Sequence, residues 1–227
     1  MRRLKVVGLT LMSMFVLALT ATSASALLPD LHVSLTGGTY PVHAEATCST
    51  CATALAQEGG SVLTGVGLKV LYLFAELSAL GSYHAHFEGV KKGTKECNTA
   101  GDSKEVVLVE ESVHLVFTEL SPGLKVAALY LVLNPLTIEC GTLHVKVKGS
   151  VLGSYGGALN SSITTFKGNL LGKLGRQSIF KYEENLGNTV EAELLSDSGT
   201  GYQPSSENVS KELTATVLGG QMIEILG

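Results

Sequence analysis

Period-two alternation runs through most of this chain, and no other feature limits its fold so strongly. Leu143-His-Val-Lys-Val-Lys148 puts Leu143, Val145 and Val147 on one face and His144, Lys146 and Lys148 on the other, which describes a strand buried on one side and wet on the other. Segment 82–87 likewise turns Tyr83, Ala85 and Phe87 one way and His84 and His86 the other. Segments 113–117, 189–194 and 213–217 follow the same pattern. Turn clusters separate them, among them Lys91-Lys-Gly-Thr94, Ser121-Pro-Gly123, Tyr155-Gly-Gly157 and Asp197-Ser-Gly-Thr-Gly201. The 26 glycines also exceed the average share of roughly 7%. Alternating segments punctuated this closely predict a mainly β fold, an antiparallel β-sandwich or a barrel-like domain with little helix.

Three stretches depart from the alternation. Segment 126–133 is apolar on both faces and ends at Asn134-Pro135, which predicts a strand covered on both sides. Segment 62–80 is apolar but interrupted by Lys69, Glu76 and internal glycines, so it reads as one bent strand or two. Segment 44–57 is rich in alanine and stops at Gly59-Gly60, which favours helix, while its threonines and cysteines favour strand. The best candidate for a seam within the chain is 149–160.

Residues 1–26 have the grammar of a secretory signal peptide. Arg2, Arg3 and Lys5 precede an apolar run over 6–20, and Ala24-Ser25-Ala26 supplies a small-residue cleavage site. The run is shorter than the roughly 20 residues that a membrane-spanning helix needs, and Leu27 rather than a cysteine follows the cut. The expectation is a secreted, extracellular chain, 27–227, folding as a single β-rich domain with no membrane span. Of 16 basic residues, three leave with the leader, so 13 face 20 acidic ones, a formal charge of −7. That balance, without a large Lys/Arg cluster, argues against nucleic acid and against anionic lipid.

All four cysteines, Cys48, Cys51, Cys97 and Cys140, lie beyond the leader. In an oxidising compartment they predict two disulfides, with three connectivities open. His84 and His86 stand two apart on a strand and share a face, so a third ligand such as His114, His144 or Glu88 would complete a metal site. No spaced ligand set accompanies them, and the expectation is that they are surface residues, with no metal and no cofactor.

Catalytic signatures are thin. No Gly-x-Ser-x-Gly elbow occurs. The three aspartates, Asp30, Asp102 and Asp197, are scattered in turn-like sequence. Glu110 and Glu111 are adjacent and on a strand face opposite ways, which predicts no paired-carboxylate site from these two and places both at solvated strand ends. Carbohydrate binding by exposed aromatic rings is weakened by the absence of tryptophan, leaving Tyr155 and Tyr202, in glycine-rich loops, as candidate ligand-binding residues.

Cys97-Asn-Thr-Ala-Gly-Asp102, Val113-His-Leu-Val-Phe117, Ile138-Glu-Cys-Gly141 and segment 145–153 resemble a group of secreted β-rich proteins of soil actinobacteria with no assigned activity. The resemblance covers roughly 80–227. It implies a compartment and a fold class, and it carries no catalytic residue over. Members of that group often have a cysteine near the position of Val90, which implies that Cys48 or Cys51 has taken over its pairing role. The functional expectation is non-catalytic binding of an extracellular ligand or cell-envelope component. Two alternatives stand beside it, a carbohydrate or cell-wall binding module and a hydrolase or metalloenzyme using His84 and His86.

Overall fold

A computed structural model describes residues 32–36, 41–58, 60, 62–74, 80–121, 123–183 and 188–226; the leader expected over 1–26 lies outside them. The strands are, in order, β1 (His32–Thr36), β2 (Val42–Cys48), β3 (Thr53–Gln57), β4 (Val62–Gly65), β5 (Gly67–Phe74), β6 (Leu80–Glu88), β7 (Lys91–Lys92), β8 (Lys95–Glu96) and β9 (Asn98–Thr99). Three long strands follow, β10 (Val106–Ser121), β11 (Leu124–Cys140) and β12 (Leu143–Gly156). Next come β13 (Ser162–Ile163), β14 (Thr165–Asn169), β15 (Gly172–Lys173), β16 (Arg176–Gln177), β17 (Lys181–Glu183) and β18 (Thr189–Glu191). The last are β19 (Leu194–Asp197), β20 (Gln203–Val209), β21 (Leu213–Val217) and β22 (Met222–Leu226). A 3-10 turn at Leu218–Gly220 is the one helical element among the described residues. Segment 44–57 is therefore two strands joined by a turn, and 62–74 is likewise two. The candidate seam at 149–160 covers the second half of β12 and the loop beyond it.

Eight strands close into an antiparallel barrel in the order β2-β5-β6-β10-β11-β12-β14-β21 and back to β2. Closure removes the exposed sheet edges that an open sandwich would leave. An eight-strand barrel is just wide enough for side chains to fill it, and the alternation supplies them. Val42, Ala44, Ala46, Val70, Tyr72, Phe74, Val113, Leu115, Leu129, Leu131, Phe166 and Ala215 are all buried. Aromatic rings form the centre of this filling, with Tyr72 edge-on to Tyr83 at 5.2 Å and to Phe166 at 5.3 Å between ring centroids.

β10 to β12 are long enough to serve two layers. Their outer face carries Val116, Ala128 and Leu152, which pack beneath Tyr182 and Ala192 around β17 and β18, and Tyr130 stacks on Tyr182 at 4.4 Å. This is why 126–133 is apolar on both sides. At the far end of β11 the pairing with β12 shifts between Leu133 and Leu136, where Pro135 has no N–H to give the ladder and a bulge accommodates it. There β12 turns to pair with β19, and β19, β20, β3 and β4 continue as a ribbon. The ribbon stands off the barrel wall formed by β6, β10 and β11. The β11–β12 hairpin is closed by Gly141 and Thr142, with Gly141 at φ 69°, a value that a two-residue hairpin turn assigns to glycine.

Disulfides join Cys48 to Cys51 and Cys97 to Cys140. The local pair braces the turn between β2 and β3. The distant pair ties the β8–β9 corner to the end of β11. Because Cys48 pairs with its own neighbour, neither it nor Cys51 has taken over a partner near Val90. That residue is instead buried, with its carbonyl accepting the Cys97 N–H at 2.9 Å.

Candidate functional site

Between the ribbon and the barrel wall lies a cavity of about 60 Å³. Leu63, Phe87, Val107, Val109, Leu133 and Ile138 supply much of its apolar lining. Two carboxylates share it, Glu111 from β10 and Glu207 from β20, and among the described residues no lysine, arginine or histidine lines it.

Alternation places the first of them. Val107, Val109, Val113 and Leu115 are all buried on the inward face of β10, and Glu111 belongs to the same file, with 5% of its surface exposed. Its neighbour Glu110 is exposed and lies 3.9 Å from His84 Nδ1 on the outside. Glu207 is set by β20, which is fixed from behind: its N–H donates to Gln177 Oε1 at 3.1 Å, and Gly175 N–H donates to Ser206 Oγ at 3.2 Å. Tyr83, the register partner of Glu111 on β6, and Tyr72 on β5 complete the polar surroundings.

The arrangement is electrostatically unfavourable for charge. Glu111 Oε2 and Glu207 Oε1 are buried and have no hydrogen-bond partner. Burial raises the Glu111 carboxyl well above the usual carboxylate range, and the charge of Glu207 beside it adds to the rise. Burial likewise lifts Glu207, to about 7. An ionised carboxylate in an apolar pocket loses hydration that nothing here replaces. Tyr72 and Tyr83 are also pushed up, first by burial.

The residues singled out from sequence lie elsewhere. Tyr83, Ala85 and Phe87 are buried while His84 is half-buried and His86 exposed, as the alternation requires. His114 rests against Tyr130 at 5.7 Å, and burial lowers its pKa. No three His, Cys, Asp or Glu side chains gather as a metal site among the described residues. Tyr155 belongs to the barrel filling, 5.8 Å from Phe166, and burial lifts its hydroxyl to about 12. Tyr202 is 41% exposed beneath Lys148 Nζ, 4.0 Å from its ring centroid. Neither tyrosine lines the cavity. Asp197 is a turn residue, its Oδ1 accepting the N–H groups of Gly199 and Gly201 at 2.8 and 2.9 Å.

The placement of Glu111 at a solvated strand end is corrected by its burial. Glu110 and Glu111 do face opposite ways, but the second carboxylate comes from a strand 96 positions onward. The signal was present for Glu111, a glutamate in step with Val107, Val109, Val113 and Leu115. For Glu207 no local pattern marks it. No known protein family, curated protein or solved structure matches this chain.

Proposed function

We propose that this protein is an exported, non-catalytic binding protein that holds a small, mainly apolar ligand, or the apolar end of a larger one, in the cavity between its barrel and its outer ribbon. The observation that carries this reading is the cavity itself, an apolar concavity with a few convergent polar groups. At about 60 Å³ it is under half the roughly 150 Å³ apolar cavity that takes up benzene, so the enclosed part of the ligand is a few heavy atoms.

The leader-like residues 1–26 and the two disulfides support export, since disulfides persist in oxidising compartments. An apolar lining is a poor match for a sugar, whose hydroxyls each need a polar partner when buried. Among the described residues the lining contains no serine, cysteine or histidine, and its two hydroxyls, on Thr53 and Thr64, have no histidine or lysine in the lining to activate them.

Ligand-observed NMR with n-butanol and cyclopentane is expected to detect binding. Val109→Phe, which fills the cavity from the barrel wall, is expected to abolish it. If neither probe binds the wild-type protein, or if Val109→Phe leaves binding intact, the reading fails.

A further inference from the structure

We infer that Glu111 and Glu207 form a receptor for a protonated amine, so that the ligand class is a small amine carrying a short apolar group. The inference rests on the cavity-binding reading above and specifies which group of the ligand the two carboxyls would hold and why. An ammonium brings three hydrogen-bond donors and no acceptor. The cavity lining includes the complement, two carboxyls whose buried oxygens Glu111 Oε2 and Glu207 Oε1 accept from no protein donor. Apart from these two carboxyls, Thr53 and Thr64, the described lining is apolar, and among the described residues it contains no competing cation. A charge-assisted N–H to carboxylate bond is roughly twice as strong as a neutral one, and water excluded by Leu63, Phe87, Val107 and Ile138 does not weaken it.

Neither alternative occupant satisfies both oxygens as well. An alcohol has one donor, so it pairs with both carboxyls only while one of them keeps its proton to donate back, whereas an ammonium can donate to both when they are ionised. A carboxylate or phosphate would add a third negative group to a pocket with no positive one.

Proton linkage follows from the same geometry. The groups facing Glu111 are Glu207 from β20, Tyr83 from β6 and Tyr72 from β5, and none of these is cationic. Empty, the pair retains protons because burial opposes its ionisation. An ammonium in the pocket stabilises the ionised carboxylates, so binding below the titration of the pair expels protons from it. Affinity for an amine therefore rises with pH through the neutral range, while affinity for a neutral ligand of the same size does not.

The test is calorimetric titration of the full chain with n-butylamine and with n-butanol at pH 5.5, 6.5 and 7.5, each in two buffers of different ionisation enthalpy. The expected result is that butylamine binds about tenfold or more tightly than butanol at pH 7.5. Its affinity should fall toward pH 5.5 with net proton release, and butanol should bind equally at all three. The variants Glu111→Gln and Glu207→Gln should lose the preference for the amine and keep butanol binding. Because the pH series and proton count are measured on the wild-type protein, they stand even if a variant fails to fold. Butanol binding without preference for the amine overturns this inference and leaves the cavity reading in place. Absence of binding by both probes overturns the cavity reading together with it.

Discussion

A carboxylate in the inward file of a barrel strand is costly, and two such groups sharing one apolar pocket make the cost depend on pH. In the unfolded chain Glu111 and Glu207 release their protons near the ordinary value of about 4.3. In the folded chain burial holds both above it, Glu207 at about 7. Between those values the folded state binds more protons than the unfolded one. The contribution of this pair to stability is therefore fully present below about 4.3 and falls as pH rises through 7, by at most about 1.4 kcal/mol per pH unit for each group. The urea midpoint of the wild-type protein should drop between pH 5 and pH 7.5, and Glu111→Gln or Glu207→Gln should flatten that slope. A wild-type slope that both variants leave unchanged would contradict this account.

At the scale of a strand, the most consequential residue is Gly149 in the middle of β12. It sits opposite Leu133 of β11 and Leu194 of β19, where the strand passes from the barrel to the outer ribbon. Its φ is 108°, and a Cβ there would lie 2.1 Å from the carbonyl oxygen of Glu193. That oxygen is already engaged, accepting the Ser150 N–H at 2.8 Å. Gly149→Ala should therefore cost about 2–4 kcal/mol, combining backbone strain with a clash against main chain that is held in place. Gly153→Ala, on the same strand with its nearest neighbour a leucine methyl at 3.3 Å, should cost less than about 1.5 kcal/mol. Equal losses measured by thermal unfolding would refute the assignment of Gly149 as the bend on which the ribbon depends. Within the stretch read as a candidate seam, 149–160, β12 continues unbroken to Gly156.

At the scale of the molecule, the two disulfides do different work. Cys97 and Cys140 are 43 positions apart and Cys48 and Cys51 only three. Restriction of the unfolded chain predicts about 4 kcal/mol for the first and about 2 kcal/mol for the second. Cys97→Ala with Cys140→Ala should accordingly lower the unfolding midpoint more than Cys48→Ala with Cys51→Ala. The opposite order in chemical denaturation would show that the turn between β2 and β3 matters more than the long closure. Six of the eight barrel pairings join strands near each other in sequence, whereas β14 with β21 and the closing contact of Ala44 with Val217 bring distant segments together, so closure of the barrel waits on long loop closures.

What the chain determined by itself was the facing of its strands. Side chains alternate with a period of two whatever the neighbours are, so Tyr83, Ala85 and Phe87 turned inward and His84 and His86 outward. The same rule marked 126–133 as covered on both sides. The even number of cysteines, all beyond the leader-like segment, predicted two bridges, and two are present. Only the tertiary structure decided that the sheet closes, that Cys97 meets Cys140, and that Glu207 arrives opposite Glu111. Each of these depends on which strands become neighbours and in what register, and that choice is made by packing a single interior from segments up to 170 or so residues apart. No local pattern carries it. A glutamate in step with four buried aliphatic residues can be read along one strand, whereas the partner that makes it a site is supplied by the closure of the whole fold.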